Sequence, residues 1–405
     1  MADASLQIGN GNWGVKTSLL LGYNVVSNRY NPIEIGVTRE TLGSRTNQAG
    51  IIDYKDNNIA RINYASGVGS LLLEPQRTNL LLNSVWAGGA IPTSWTQFTT
   101  GGTLTPTTSI KNPNVTALNF AGTTSRNFIS QSINFTNGYI YAISFYVQSV
   151  TTTSPLDTII GTNAVTGTST YLKNNVLVNG STENIVVGNT YTLIFSATTS
   201  ITGSIRIGLG TNGNSTANFT LSMPQMEIGA SNTASYSTSY IPTTTSAVTR
   251  NADIFSRNNI YTNGLITSVG GTWFIELNNN IAYIRDTFAS GVYLDTTNGG
   301  FVNGFSIRNI GTTSQTLSIL KYVSGTPTIL YNLTSNTVKI AIKWNGTTAD
   351  LFVNGVKQVS ATAFTTTAME NLGGNGGDVP KYIKSMLLFP TPLTDTECIN
   401  LTTII

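Results

Sequence analysis

Few residues in this sequence could do bond-making or bond-breaking chemistry. Histidine is absent from all 405 residues, which excludes Ser-His-Asp and Cys-His relays and every His-containing metal site. The single cysteine, Cys398, closes the run Leu393-Thr394-Asp395-Thr396-Glu397-Cys398. With no His to take its proton it reads as a small buried hydrophobe, and alone it forms no intramolecular disulfide. Glycoside hydrolysis needs only two carboxylates. The acids on strand-like stretches are Glu183, Glu227, Glu276, Asp286, Asp295, Asp350 and Asp378. None forms a closely spaced pair on one strand. Glu276, alternating with Trp273 and Ile275, reads as a solvent-facing strand residue. Asp286, Asp295 and Asp350 are the candidate oxygen donors for a calcium ion at a loop rim, and they are scattered. Gly373-Gly374-Asn375-Gly376-Gly377 has no Lys-Ser/Thr after it, so it is a turn and not a phosphate cradle. The expectation is no catalytic residue, no cofactor and no metal.

Sugar binding makes different demands: aromatic rings that stack on pyranose C–H groups, with Asn, Asp and Gly in loops. Aromatic residues in turn-like settings are Trp86, Trp95, Tyr236, Tyr261, Phe301 and Phe305. Trp86 and Trp95 flank the loop Ala87-Gly88-Gly89-Ala90-Ile91-Pro92, and Phe301 and Phe305 alternate in Gly300-Phe301-Val302-Asn303-Gly304-Phe305. These four are the candidate glycan contacts. Core packing is the leading role for each, with glycan contact the alternative.

The elements that would position such residues are strands. Charged residues make up only 10% of the chain, well below the usual quarter; Thr, Ser, Asn and Gly take their place and favour turns, caps and strand faces. The fold class is therefore all-β. Residues 1 to about 70 hold short apolar pieces (Leu19-Leu20-Leu21, Asn24-Val25-Val26) between Gly- and Asn-rich turns, and the pattern predicts an irregular arm that orders on a partner. From about 71 to 253 the two-residue period recurs in Tyr139–Val147, Tyr191–Phe195 and Ser204–Leu209, separated by turns such as Thr136-Asn137-Gly138 and Val187-Gly188-Asn189. This predicts an antiparallel sandwich or jelly roll, with Tyr240–Thr245 as its edge or exit. From about 260 to 405, Thr272–Leu277, Val338–Trp344 and Leu351–Val353, with turns at Asn345-Gly346 and Asn354-Gly355, predict a second β-sandwich.

Ser70–Ser84 reads SLLLEPQRTNLLLNS. Pro75 argues against one helix, and each Leu triplet is too short to span a membrane. Two buried strands joined by a polar kink fit, which makes the stretch a junction. No apolar run of membrane length occurs, and the net charge of +3 is small and dispersed. Neither membrane insertion nor nucleic acid is expected as a partner. The start, MADASLQIGNGNWG, has no charged n-region or apolar h-region, so synthesis in a host cytoplasm without a signal peptide is expected.

The junction, preceded by Ala60-Arg61-Ile62-Asn63-Tyr64, resembles one in tailed-bacteriophage head spike and head fibre proteins. There it joins a virion-attachment segment to a jelly roll of carbohydrate-binding-module type. The exit is similar too: Gln225-Met226-Glu227-Ile228-Gly229, Thr238-Ser239-Tyr240-Ile241-Pro242-Thr243 and Val248-Thr249-Arg250-Asn251-Ala252-Asp253. The C-terminal part resembles a concanavalin A-like, laminin-G-type sandwich through IKWNGTTADLFVNGVKQVS and YIKSMLLFPTPLTDTECINLTT. The resemblance implies three parts: an attachment and trimerisation segment (1–70), the jelly roll (71–253) and the terminal sandwich (260–405). It further implies that Glu74 and Arg77 at the entry lie near Arg250 and Asp253 at the exit as a partly buried charged clamp; a solvated turn is the alternative. The implied function is that of a homotrimeric virion protein on the capsid surface, docked to capsid proteins through its first 70 residues and binding host or mucosal glycans weakly and multivalently. A tail fibre or receptor-binding protein, and a polysaccharide depolymerase spike, are the alternatives.

Overall fold

The computed structural model describes residues 3–24, 29–278, 291–309, 317–333, 337–365, 368–375 and 381–404. The acids Asp286 and Asp378, Val25-Val26 and the end of the Gly373–Gly377 turn lie outside them. The described chain is almost entirely antiparallel β-structure; its α-helix is Asp395–Thr402. Thr394 caps that helix in a reciprocal capping box with Glu397, which satisfies two orphan donors at the helix start.

The expected irregular arm is corrected. Leu6–Gly9 lies antiparallel to Lys381–Phe389, with Leu6 opposite Leu388 and Ile8 opposite Met386. Leu19–Asn24 pairs with Arg29–Thr38, and that strand pairs in turn with Ile254–Arg257. Ser70–Leu73 joins Lys381–Phe389 at Leu71 opposite Ile383. Leu6, Ile8, Leu20, Ile33, Ile35, Val37, Ile62, Leu71 and Leu73 share one core with Trp273, Ile275, Phe305, Ile340, Trp344, Leu372 and Leu388. Most of the described strands before Ser70 therefore belong to the C-terminal sandwich, while Gly43–Thr46 and Ile52–Lys55 pair apart as a two-stranded hairpin. Several of the sandwich strands find hairpin partners nearby, but their apolar faces are buried against segments hundreds of residues away. The alternation Ile33-x-Ile35-x-Val37 was the available signal.

The segment between Glu74 and Arg250 is an insertion into that sandwich, with its own core from Leu81 and Trp86 to Met226. Its two sheets run in the orders Thr96–Thr99, Asn127–Phe135, Ile201–Leu209, Ile160–Asn163 and Thr103–Thr108, Thr116–Ser125, Ser215–Gly229, Ile140–Thr152, Thr190–Ala197, Gly167–Lys173, Val176–Val178. The expected strands appear, slightly extended, in Ile140–Thr152, Thr190–Ala197 and Ile201–Leu209. Gly138 and Gly188 take φ of +81° and +85° in the turns between them, where a left-handed backbone favours glycine. Residues Tyr240 to Thr245 form no strand. They are a strap, held by Asn79 Nδ2 donating to Ile241 O at 2.7 Å and Ile241 N donating to Gln225 Oε1 at 3.0 Å.

SLLLEPQRTNLLLNS is the entry to the insertion. Ser70–Leu73 belongs to the first sandwich, and Arg77–Asn79 pairs with both Ser215–Gly229 and Val248–Arg250 in the insert. The second strand is thus the polar run, and the following triplet sends Leu81 into the insert core. Entry and exit touch: Asp253 N donates to Glu74 O at 2.9 Å.

Candidate functional site

Where the two crossings meet, the chain buries five charged side chains. Glu74 accepts from Arg61 Nη1 at 2.8 Å and pairs with Arg250 Nη1 at 3.1 Å. Asp253 pairs with Arg39 at 3.0 Å, accepts from Arg61 through a short contact, and takes the Glu74 backbone N–H at 2.9 Å. Side-chain exposure is at most 3% for every member. Other donors of the three guanidiniums lie on carbonyls, Arg39 on Thr41, Ile59, Lys55 and Asp56, Arg61 on Ser44, and Arg250 on Pro75 and Ser239, while Arg250 Nε is buried without a partner among the described residues. Buried charges persist when paired and hydrogen-bonded in this way. Burial raises the Glu74 pKa, but Arg250 and Arg61 outweigh it and hold the carboxyl at about 2. Burial and the neighbouring Arg61 lower Arg39, whereas Asp253 and Glu74 override burial and raise Arg61.

Of the four residues expected at the junction, Glu74, Arg250 and Asp253 meet here. Arg77 stands beside them, over the Tyr236 ring at 5.1 Å and within the field of Glu227. Glu227 is fully buried, accepts from Thr238 N at 2.8 Å and from the Thr238 hydroxyl, and burial pushes its carboxyl above the ordinary value despite Arg77 and Arg250. Arg39 and Arg61 are the members that sequence reasoning missed. An arginine set among apolar neighbours, as in Ile59-Ala60-Arg61-Ile62, was the signal. The cluster holds both crossings to one point and offers no exposed group for chemistry. It is a joint.

Against this joint lies a cavity of about 360 Å³ between the hairpin Gly43–Thr46/Ile52–Lys55 and the outer face of the insert's larger sheet. Ser144, Tyr146, Thr190 and Gln225 form its floor, and Arg45 and Lys111 stand at its walls. Gln225 is oriented by its bonds to the strap, Oε1 to Ile241 N and Nε2 to Thr238 O. Arg45 is fixed by Asp53 at 2.8 and 3.1 Å. Lys111 donates to Gly50 O at 2.7 Å and faces the half-buried Tyr146 ring at 5.9 Å; burial lowers its pKa. Hydroxyls, amides and one tyrosine face in a space of this size suit a small polyhydroxylated ligand.

The aromatic candidates fare differently. Trp86 and Trp95 are core residues, edge to face at 6.1 Å, and Trp95 Nε1 donates to Leu82 O and Asn83 O. Phe305 is buried between Trp344 and Phe364. These three are corrected as candidate glycan contacts: their rings point inward, into the core. Phe301 is half-buried, on the Tyr322 ring at 5.1 Å with Arg308 at 4.4 Å. Its φ of +55° is held by the buried Asp295 carboxylate, which accepts from the backbone of Thr297, Gly299 and Phe301.

The remaining described carboxylates from the sequence reading are tied up singly. Glu183 pairs with Lys173 at 2.9 Å, Glu276 with Lys384 at 3.5 Å, and Asp350 with Lys357 at 3.1 Å and Lys343 at 3.4 Å. Among the described residues no group of three Cys, Asp or Glu side chains is placed to hold a metal ion. Cys398 is buried, and burial pushes its thiol up to about 12.

No protein-family model matches the chain, and no curated protein matches it in sequence. Among solved structures the chain is similar to the CBM40 module of the Ruminococcus gnavus IT-sialidase bound to α2,3-sialyllactose, at 19% identity over 34% of this chain and 83% of that one, with a TM-score of 0.25. It is also similar to the Trypanosoma rangeli sialidase in complex with sialic acid, at 8% identity over 95% of this chain and 80% of that one, again with a TM-score of 0.25. At those scores neither likeness carries weight for what this chain binds.

Proposed function

We propose that the chain is a non-enzymatic virion protein, a bacteriophage head fibre or spike that attaches weakly and multivalently to host or mucosal glycans. The observation that carries the glycan reading is the cleft of about 360 Å³, with its hydroxyl and amide lining and the Tyr146 face. The display role, the homotrimer and the contact with capsid proteins rest on the sequence resemblance of the entry and exit segments. The role proposed for an N-terminal arm in trimerisation passes to the sandwich surfaces, because the residues of that arm are core strands. A rigid joint suits display: a module held through both of its crossings presents its cleft in a fixed orientation, which raises the effective concentration of neighbouring copies. Binding without hydrolysis fits Glu183, Glu227, Glu276, Asp295 and Asp350, which are engaged in ion pairs or local hydrogen bonds.

The test is a glycan-array and biolayer measurement on the full chain, with Tyr146→Ala in parallel. Binding of neutral or acidic glycans that weakens about tenfold in Tyr146→Ala, without release of reducing ends, is the expected result. Unchanged binding in Tyr146→Ala overturns the cleft. Absence of the protein from purified virions overturns the display role.

A further inference from the structure

The insert's smaller sheet turns one face to its core and leaves the other open. On the open face Phe98 lies opposite Phe128, and the two rings stack at 5.2 Å and 21°. Phe128 is buried, while Phe98 is 43% exposed. Two guanidiniums close over this pair: Arg126 stands 5.1 Å from the Phe98 centroid and 5.3 Å from that of Phe128, and Arg206 stands 5.1 Å from Phe128. Both point at one carbonyl, with Arg126 Nη2 donating to Thr211 O at 2.9 Å and Arg206 Nη1 donating to it at 3.2 Å; Arg126 Nε donates to Gly210 O at 2.9 Å. Among the described residues no carboxylate pairs with either arginine. Burial and the charge of Arg126 lower the pKa of Arg206.

Like charges gathered without a counter-ion are unfavourable unless something else neutralises them. The buried arginines of the joint and the half-buried Arg45, by contrast, are given carboxylates, at Asp253, Glu74 and Asp53. Beside the pair the face is made for polar contact. Thr96, Ser130 and Arg206 form one cross-strand row that ends at Gly161, and Ser132, Ser204 and Asn163 form the next. Cation–π contacts fix the guanidinium planes, and among the described residues Arg126 Nη1 and Arg206 Nε and Nη2 have no hydrogen-bond partner, which leaves them for a fork-like grip on a planar anion.

We infer that this face binds a carboxylate-bearing oligosaccharide. The exposed ring of Phe98 stacks on one sugar, Arg126 and Arg206 take the carboxylate, and the strand hydroxyls receive the sugar hydroxyls. The inference rests on the glycan reading above but places acid recognition on a surface separate from the cleft.

The test measures binding of the full chain to oligogalacturonate and oligosialate, each beside its carboxyl-reduced form, at moderate salt. At least one acidic probe is expected to bind ten-fold or more tighter than its reduced form. Arg206→Gln is expected to remove that preference, bringing the acidic form's binding down to the level of its reduced form. Phe98→Ala, at a position 43% exposed, is expected to weaken both forms several-fold, with the thermal transition of the variant as the check on folding. Equal binding of acid and reduced forms, or a preference that survives Arg206→Gln, overturns the inference. Neutral glycans still bound in a Tyr146-dependent way would then leave the cleft reading standing. A chain that binds no glycan overturns both.

Discussion

Replacing Glu74 by Gln removes one charge from the joint without changing its shape. At neutral pH the carboxylate is ionised and holds Arg61 and Arg250. Its pKa of about 2, against an ordinary 4.5, corresponds to roughly 3 kcal/mol of stability. The value is lowered in the fold, so this stability is fully present above pH 4.5 and is lost as the pH falls from there towards 2. Leaving two guanidiniums short of a partner costs about 3–5 kcal/mol, consistent with that figure. Calorimetry from pH 7 to 2.5 should show Glu74→Gln about 3 kcal/mol less stable at pH 7, with the difference from wild type shrinking below pH 4. Glu227 is the internal control because its shift has the opposite sign. Burial raises its pKa, so its contribution is present below the ordinary value and lost as the pH rises through the raised one. Glu227→Gln should therefore cost less than about 1 kcal/mol at pH 7, or stabilise. A Glu74→Gln cost under about 1 kcal/mol at pH 7, or one that does not change with pH, refutes the joint's energetics.

Deleting residues 1–70 should unfold the C-terminal sandwich and not merely release a monomer. It strips Leu6, Ile8, Leu20, Ile33, Ile35, Val37 and Ile62 from the core, roughly 10 kcal/mol at about 1.5 kcal/mol per side chain; loss of the cooperative calorimetric transition is the readout. Residues 77–250 expressed alone should fold with β-type circular dichroism, because the insert has its own core, and a molten product would contradict the insertion. Trp86→Ala should cost about 3–5 kcal/mol in chemical denaturation, since the ring is fully buried against Trp95 and Phe120. It should leave glycan binding intact wherever the fold survives, and a selective loss of binding would return Trp86 to the ligand.

The residues themselves settled the all-β class, the lack of histidine chemistry and the place of the junction. Low charge with Thr, Ser and Asn suppresses helices, and the alternation in Ile140–Thr152 or Thr337–Asn345 is a local property of the chain. Three members of the joint could be named only through the resemblance of the entry and exit segments. Tertiary structure alone decided that the first 70 residues complete a sandwich closed by the last ones, because Leu6 finds Leu388 only when the whole chain has folded. It also brought in Arg39 and Arg61, whose burial depends on carboxylates 13 to 214 positions away. It turned Trp86, Trp95 and Phe305 inward, since a period of two says that faces alternate but not which face meets a core. And it assembled Phe98, Arg126 and Arg206, drawn from three separate segments, onto one open sheet face, where strand register and not sequence spacing sets which side chains are neighbours.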